Sequence, residues 1–193
     1  MKIQTSYIVL NQSFKNRSIG KVVFRQPSSK VLASAAIPFW QLYKLKNLGV
    51  TQVIDLNYKD TFKYKFKCFM EQITCKLLGI KYKNFPIKLK RMGDFMENKE
   101  AFEKIHQFIA EGKKFTHIHC LCGLHRTGIV CAAEQILSGE KNLSEAVKYL
   151  EKNDYWTSNG KIITPTENPK RYNLYLQLLN KFKTLFTTYS SKK

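Results

Sequence analysis

A chain of 193 residues, 44% hydrophobic and 24% charged, is long enough to bury a sizeable core and too short for two comfortable domains. Lys and Arg number 33 against 14 Asp and Glu, a formal net charge of +19 that draws polyanions to the surface. No window approaches the length of a membrane span, and the first residues hold no signal-peptide apolar core. The five cysteines (Cys68, Cys75, Cys120, Cys122, Cys131) are an odd set without metal-ligand spacing. A soluble, cytoplasmic, monomeric protein with no metal or cofactor is expected.

Taken in order, residues 1–29 form an N-terminal extension with short strand-like pieces at 7–10 and 21–24, after which Gln26, Pro27, Ser28 and Ser29 break the chain. Residues 30–36 read as a strand ending in small side chains. Pro38 opens a helix whose apolar run is Phe39, Leu42, Tyr43, Leu45 and Leu48, closed by Gly49. Residues 50–56 read as a buried strand. Residues 62–78 read as a helix, with Phe66, Phe69, Met70, Ile73 and Leu77 spaced as a core face.

A strand at 81–87 and a loop at 88–97 lead to an amphipathic helix over 99–111, with Phe102, Ile105, Phe108 and Ile109 on one side. Another buried strand begins at Phe115 and delivers Cys120 to its C-terminal end. From Thr127 the chain becomes an apolar helix that Gly139 ends. Asn142 and Glu145 make a capping pair for the next helix, with Leu143, Ala146, Val147 and Leu150 inward. Residues 153–168 read as irregular, with Tyr155 and Trp156 placed to pack or to stack on a ligand. A last helix spans about 170–186, and 187–193 read as a flexible tail. The order of these elements predicts one α/β domain over 1–193, a mostly parallel twisted sheet flanked by helices on both faces, with the site at the carboxyl ends of the strands.

The segment from Cys120 to Gly128 carries the chemistry. It lies between a strand and a helix N-terminus, where successive backbone N–H groups and the helix dipole favour a dianion. Arg126 adds a planar fork suited to two phosphate oxygens. The same field is expected to lower the pKa of Cys120 and aim its thiolate at a bound phosphorus atom. A thiolate of this kind needs a reducing compartment. Cys68 or Cys75 could approach Cys120 as a reversible redox partner, though packing on a helix face is the expected role of both. A bridge to Cys122 would be strained.

His119, Cys120, five intervening residues, Arg126, Thr127 and Gly128 together resemble the signature of the cysteine-dependent protein tyrosine and dual-specificity phosphatases. The chain is similar to the atypical dual-specificity branch over about residues 30–152, since the order of small-residue strand, helix, Leu-Gly-Val and Val-Ile-Asp-Leu also matches. The resemblance implies a phosphomonoester hydrolase working through a phosphocysteine. In it Cys120 is the nucleophile, and Arg126 with the loop residues Leu121, Cys122, Gly123, Leu124, His125 and Gly128 holds the phosphate. Thr127 assists departure of the sulfur and His119 orients the loop. The implied general acid is Asp94, with Glu97 behind it, although the family's acid follows the preceding strand more closely than Asp94 does.

Phosphotyrosine or mixed protein substrates are expected first. Lys88, Lys90 and Arg91 on the acid's loop keep an RNA 5′-triphosphate open, and the Gly-x-His-Arg-Thr-Gly pattern keeps inositol polyphosphates or phosphoinositides open. A catalytically weak phosphate-binding module is the alternative of another class.

Overall fold

The structure is a computed structural model that describes residues 24–58, 62–87, 99–123, 125–152, 157–158, 161–162 and 169–190. Its sheet contains β1 (Arg25–Ser28), β2 (Val31–Ala35), β3 (Val50–Asp55), β4 (Lys81–Asn84) and β5 (Phe115–Cys120) in the order β1-β2-β5-β3-β4. Only β1 is antiparallel; β5 is parallel to β2 and β3, and β3 to β4. Parallel neighbours need crossover connections, and the chain supplies helices for them. A 3-10 turn (Phe39–Gln41) with α1 (Leu42–Asn47) links β2 to β3, α2 (Phe62–Leu77) links β3 to β4, and α3 (Lys99–Ala110) precedes β5. After β5 come α4 (His125–Leu137), α5 (Leu143–Lys152) and α6 (Pro169–Ser190).

Strand pleating sorts the side chains into two cores. Val31, Ala33, Ile54, Leu56, Ile118 and Cys120 share one buried cluster with residues of α3, α4, α5 and α6, including Phe102, Ile129, Leu150 and Phe182. Val50 and Val53 share the other with Leu42, Leu45 and Cys75 of α1 and α2. Helices therefore cover both faces, as the sequence predicts. Both carboxyl-end and amino-end turns are built from local signals. Asn142 Oδ1 accepts from Glu145 N at 2.9 Å while Glu145 Oε2 accepts from Asn142 N at 3.0 Å, a reciprocal cap at the start of α5. Gly139, at φ +73°, closes α4.

Five expectations change. The segment read as a break at Gln26 to Ser29 is mostly β1, among the described residues an edge strand with a register shift between Arg25 and Ser28, a setting in which a sheet tolerates Pro27. Helix α4 starts at His125, ahead of Thr127, which draws Arg126 into its first turn. The stretch 153–168 holds a short antiparallel pair, β6 (Thr157–Ser158) and β7 (Lys161–Ile162), while Tyr155, Trp156 and Pro165 lie outside the described residues. Helix α6 continues to Ser190, past the Phe186 end suggested by the sequence.

The fifth change is the largest. The stripe assigned to the core on α2 faces outward: Phe66, Phe69 and Leu77 are 56%, 57% and 81% exposed, and Ile73 is also exposed. Met70 is only half-buried. The buried face is instead Cys68, Glu71 and Cys75. Two stripes on this helix have helical spacing, and apolar periodicity alone favours the wrong one. The sheet beneath presents buried polar groups, and only the face bearing Glu71 and Cys68 satisfies them.

Candidate active site

Three strand ends fix the position of Cys120. The Ala36 N–H donates to the Cys120 carbonyl at 2.9 Å, and the Leu56 N–H donates to the His119 carbonyl at 2.9 Å. The ladder thus continues to the edge of the sheet and holds the nucleophile candidate on both sides. Cys120 is 3% exposed, whereas Leu121 and Cys122 immediately beyond it are exposed.

The turn that follows depends on Gly123. Its φ of +68° is the left-handed region, and a Cβ there would fall on the backbone of Ser34 and Ala35, 2.5 Å from the Ser34 carbonyl oxygen. Any other residue would push the loop off the end of β2. The Gly123 carbonyl accepts a long contact from Arg25 Nη1 at 3.4 Å, so β1 touches the loop from the other side. Leu124 lies outside the described residues.

Helix α4 then begins at His125, which is exposed, and its first turn carries Arg126, Thr127 and Gly128. The first N–H groups of a helix have no partner within it and point along its axis toward the preceding loop, with the positive end of the dipole. Arg126 is half-buried and donates from Nη1 to the Leu56 carbonyl at 3.1 Å, which anchors the guanidinium on the loop after β3. Burial pushes the Cys122 thiol up; the Cys120 charge adds to this and Arg126 opposes it, so both lie within electrostatic reach of Cys122. Thr127 is fully buried, and its Oγ1 has no hydrogen-bond partner among the described residues.

Alternation along β5 places Ile118 and Cys120 in the core of α3 to α6 and turns His117 and His119 to the opposite face, toward α2. There His119 is fully buried between two carboxylates. Its Nε2 is 3.0 Å from Glu71 Oε1, close enough for an ion pair although off the line of a hydrogen bond, and its Nδ1 is 3.9 Å from Asp55 Oδ1. Burial opposes protonation of His119, but the Glu71 charge and then the Asp55 charge outweigh it and raise the imidazole to about 9. A protonated ring therefore sits directly beside Cys120 in the sequence and below the loop.

Asp55 is the hub of this layer. Its Oδ1 accepts from the Asn57 N–H at 2.9 Å and from Asn57 Nδ2 at 2.7 Å; its Oδ2 accepts from the Cys68 thiol at 3.1 Å and the Tyr82 hydroxyl at 3.0 Å. Burial would raise its carboxyl, yet the His119 charge and these donors together hold it below its ordinary value. Burial and the charges of Asp55 and Glu71 push the Tyr82 hydroxyl far up, so it stays a donor. His117 stacks on His119 with centroids 5.2 Å apart, and its Nε2 meets Ser34 Oγ at 2.8 Å. Burial, and then the His119 charge, keep His117 neutral.

The structure thus brings His119, Cys120, Leu121, Cys122, Gly123, His125, Arg126, Thr127 and Gly128 to one strand-to-helix junction. Asp94 and Glu97 lie outside the described residues, as do Lys88, Lys90 and Arg91. None of the five cysteines forms a disulfide. Cys68 is bound to Asp55, and Cys75 packs in the core of α1 and α2, on the other side of the sheet from the cluster that contains Cys120. Sequence reading missed Asp55, Asn57, Glu71, Tyr82 and Arg25. Two signals were present: a carboxylate inside the apolar strand Val-Ile-Asp-Leu, and a single acid in the sixteen residues of α2.

No protein-family model and no curated protein sequence matches the chain. Its fold matches solved structures well. TpbA of P. aeruginosa is 13% identical with a TM-score of 0.57, over 85% of this chain and 90% of that one. PTPMT1 is 17% identical with a TM-score of 0.56, over 88% and 99%. Tk-PTP in its active form is 19% identical with a TM-score of 0.54, over 81% and 96%. At these identities the likeness is one of fold: an α/β domain with the architecture of these structures.

Proposed function

We propose that the protein is a cysteine-dependent phosphatase that hydrolyses phosphomonoesters through a phosphocysteine, with phosphotyrosine or mixed phosphoprotein substrates ahead of other anions. The observation that carries this reading is the junction itself. A cysteine at the end of a central strand, a left-handed glycine that no other residue can replace, and an arginine in the first helical turn surround one set of loop amides. The fold it shares with TpbA and Tk-PTP supports it, and TpbA has been solved in complex with pTyr.

In the first step the Cys120 sulfur, as thiolate, attacks phosphorus in line. The S–P bond forms as the P–O bond to the leaving group breaks, and Arg126 with the loop N–H groups holds the three equatorial oxygens. Asp94 donates a proton to the departing oxygen. In the second step water attacks the phosphocysteine, Asp94 takes its proton, and inorganic phosphate leaves with the S–P bond pair returning to sulfur. The unpartnered Thr127 hydroxyl is suited to donate to that sulfur as charge returns to it. His119 is a positioning residue whose charge underlies the loop.

Turnover of an aryl phosphate with a good leaving group tests the reading. Cys120→Ser should abolish turnover while vanadate or phosphate binding persists; a variant that still turns over, or a wild type that binds without turnover, refutes it. Relative rates on a phosphotyrosine peptide, a phosphoserine peptide, inositol phosphates and triphosphorylated RNA then rank the substrate classes.

A further inference from the structure

Helix α2 presents to solvent the residues that a globular protein ordinarily buries. Phe62, Phe66, Phe69, Ile73 and Leu77 are 85%, 56%, 57%, 37% and 81% exposed. With 3.6 residues per turn, the five positions fall within an arc of roughly 80°, and with a rise of 1.5 Å they make a ridge about 22 Å long. Trp40 and Tyr43, 52% and 50% exposed, lie on the 3-10 turn and α1, both of which pack against α2, and they widen the apolar surface. Scattered apolar side chains on a surface need no explanation; a continuous row of this size does.

Among the described residues of α1 and α2, the exposed charges have one sign. Lys65 and Lys76 of α2 and Lys46 of α1 are exposed and Lys44 of α1 is half-buried, while Glu71, the single acid of α2, is 2% exposed and committed to His119. Helix α1 has no acidic residue. We propose that this face docks the protein on an anionic lipid bilayer, the phenylalanines and Leu77 entering the headgroup boundary and the lysines meeting lipid phosphates and carboxylates. Phe, Leu, Trp and Tyr bordered by long cationic stems are the side chains that partition to that boundary. No helix among the described residues is long and apolar enough to cross a membrane, so the contact is peripheral.

Charge complementarity selects the bilayer over a second copy of this chain. Two copies joined ridge to ridge would bring the exposed Lys46, Lys65 and Lys76 of each into opposition on molecules of net charge +19. A planar, uniformly negative surface accepts the whole ridge and all of the lysines together. The inference does not depend on the chemistry at Cys120.

The experiment is co-sedimentation of the full chain with vesicles of phosphatidylcholine alone and of equimolar phosphatidylcholine and phosphatidylserine, at low and high salt. The wild type should bind the anionic vesicles and not the neutral ones. Phe66→Ser with Phe69→Ser should weaken binding at least about tenfold, as a few buried apolar groups require. Lys65→Glu with Lys76→Glu should weaken it comparably and reduce its salt dependence. Both double variants should keep full turnover of a soluble aryl phosphate and an unchanged far-UV spectrum, since all four side chains point to solvent. Equal binding to neutral and anionic vesicles, undiminished binding by the phenylalanine variant, or no binding by the wild type overturns the proposal. So does a wild-type dimer in sedimentation velocity that the phenylalanine variant dissolves, which assigns the ridge to self-association.

Discussion

Replacing Glu71 by Gln keeps the shape of the buried layer and removes one of the two charges that hold His119 protonated. His119 is fully buried and raised from 6.5 to about 9. At about 1.4 kcal/mol for each tenfold step, that shift stores about 3 kcal/mol of folded-state preference for the imidazolium. Glu71 is its largest favourable cause, ahead of Asp55, so a large part of that preference should go with the substitution. The sign follows from linkage. A histidine whose folded pKa exceeds its unfolded value contributes fully below about 6.5, and the contribution is lost as pH rises through about 9.

Urea denaturation of wild type and Glu71→Gln across pH 6 to 10 (a range of about four units spanning both values) should therefore show a stability difference that is largest at the acidic end. The difference should shrink or invert at the alkaline end, where the wild type buries an unneutralised carboxylate. An NMR titration of the His119 ring should report an upward-shifted midpoint in the wild type and a lower one in the variant. A pH-independent stability difference, or a wild-type ring titrating near its ordinary value, would refute the reasoning.

Other side chains carry equally direct expectations. Gly123→Ala should preserve the fold but cut aryl phosphate turnover by about a hundredfold or more, because the added methyl displaces the loop by a fraction of its own size and positioning errors of about 1 Å cost that much; turnover within a factor of about two of wild type would contradict the steric argument. Asn142→Ala removes one arm of the reciprocal cap on α5 and should lower unfolding free energy by about 1 kcal/mol without altering turnover. Asp55→Asn should destabilise most at neutral pH and progressively less on acidification, because a carboxyl held below its ordinary value contributes above 3.8 and loses that contribution as pH falls through its folded pKa. For Asp94→Asn the expected result is a fall of about a hundredfold on a poor leaving group with loss of the basic limb of the pH–rate profile; an unchanged profile would remove Asp94 from the acid's role.

Much of the fold was legible because its signals are local. The strand containing Cys120, the turn at Gly123, the capping pair Asn142 and Glu145, and the inward face of α3 each depend on residues within a few positions of one another. Strand β1 was misread because Pro27 normally marks a break, and an edge position, which β1 holds among the described residues, makes it acceptable in a sheet. The reading of α2 failed for a different reason. Hydrophobic periodicity identifies a stripe but not what the stripe meets, and here the sheet offers His119 and Asp55, which Glu71 and Cys68 meet from α2.

Sequence alone determined that a cysteine and an arginine six positions apart share one loop between a strand and a helix, because chain connectivity and glycine stereochemistry leave that segment little choice. The tertiary structure decided everything that depends on residues distant in the chain meeting at one place. It set the carboxylates that keep His119 charged, the backbone of Ser34 and Ala35 that excludes a side chain at Gly123, and the side of α2 left to solvent. Burial energies of that kind belong to pairs of elements, and no single stretch of sequence contains them.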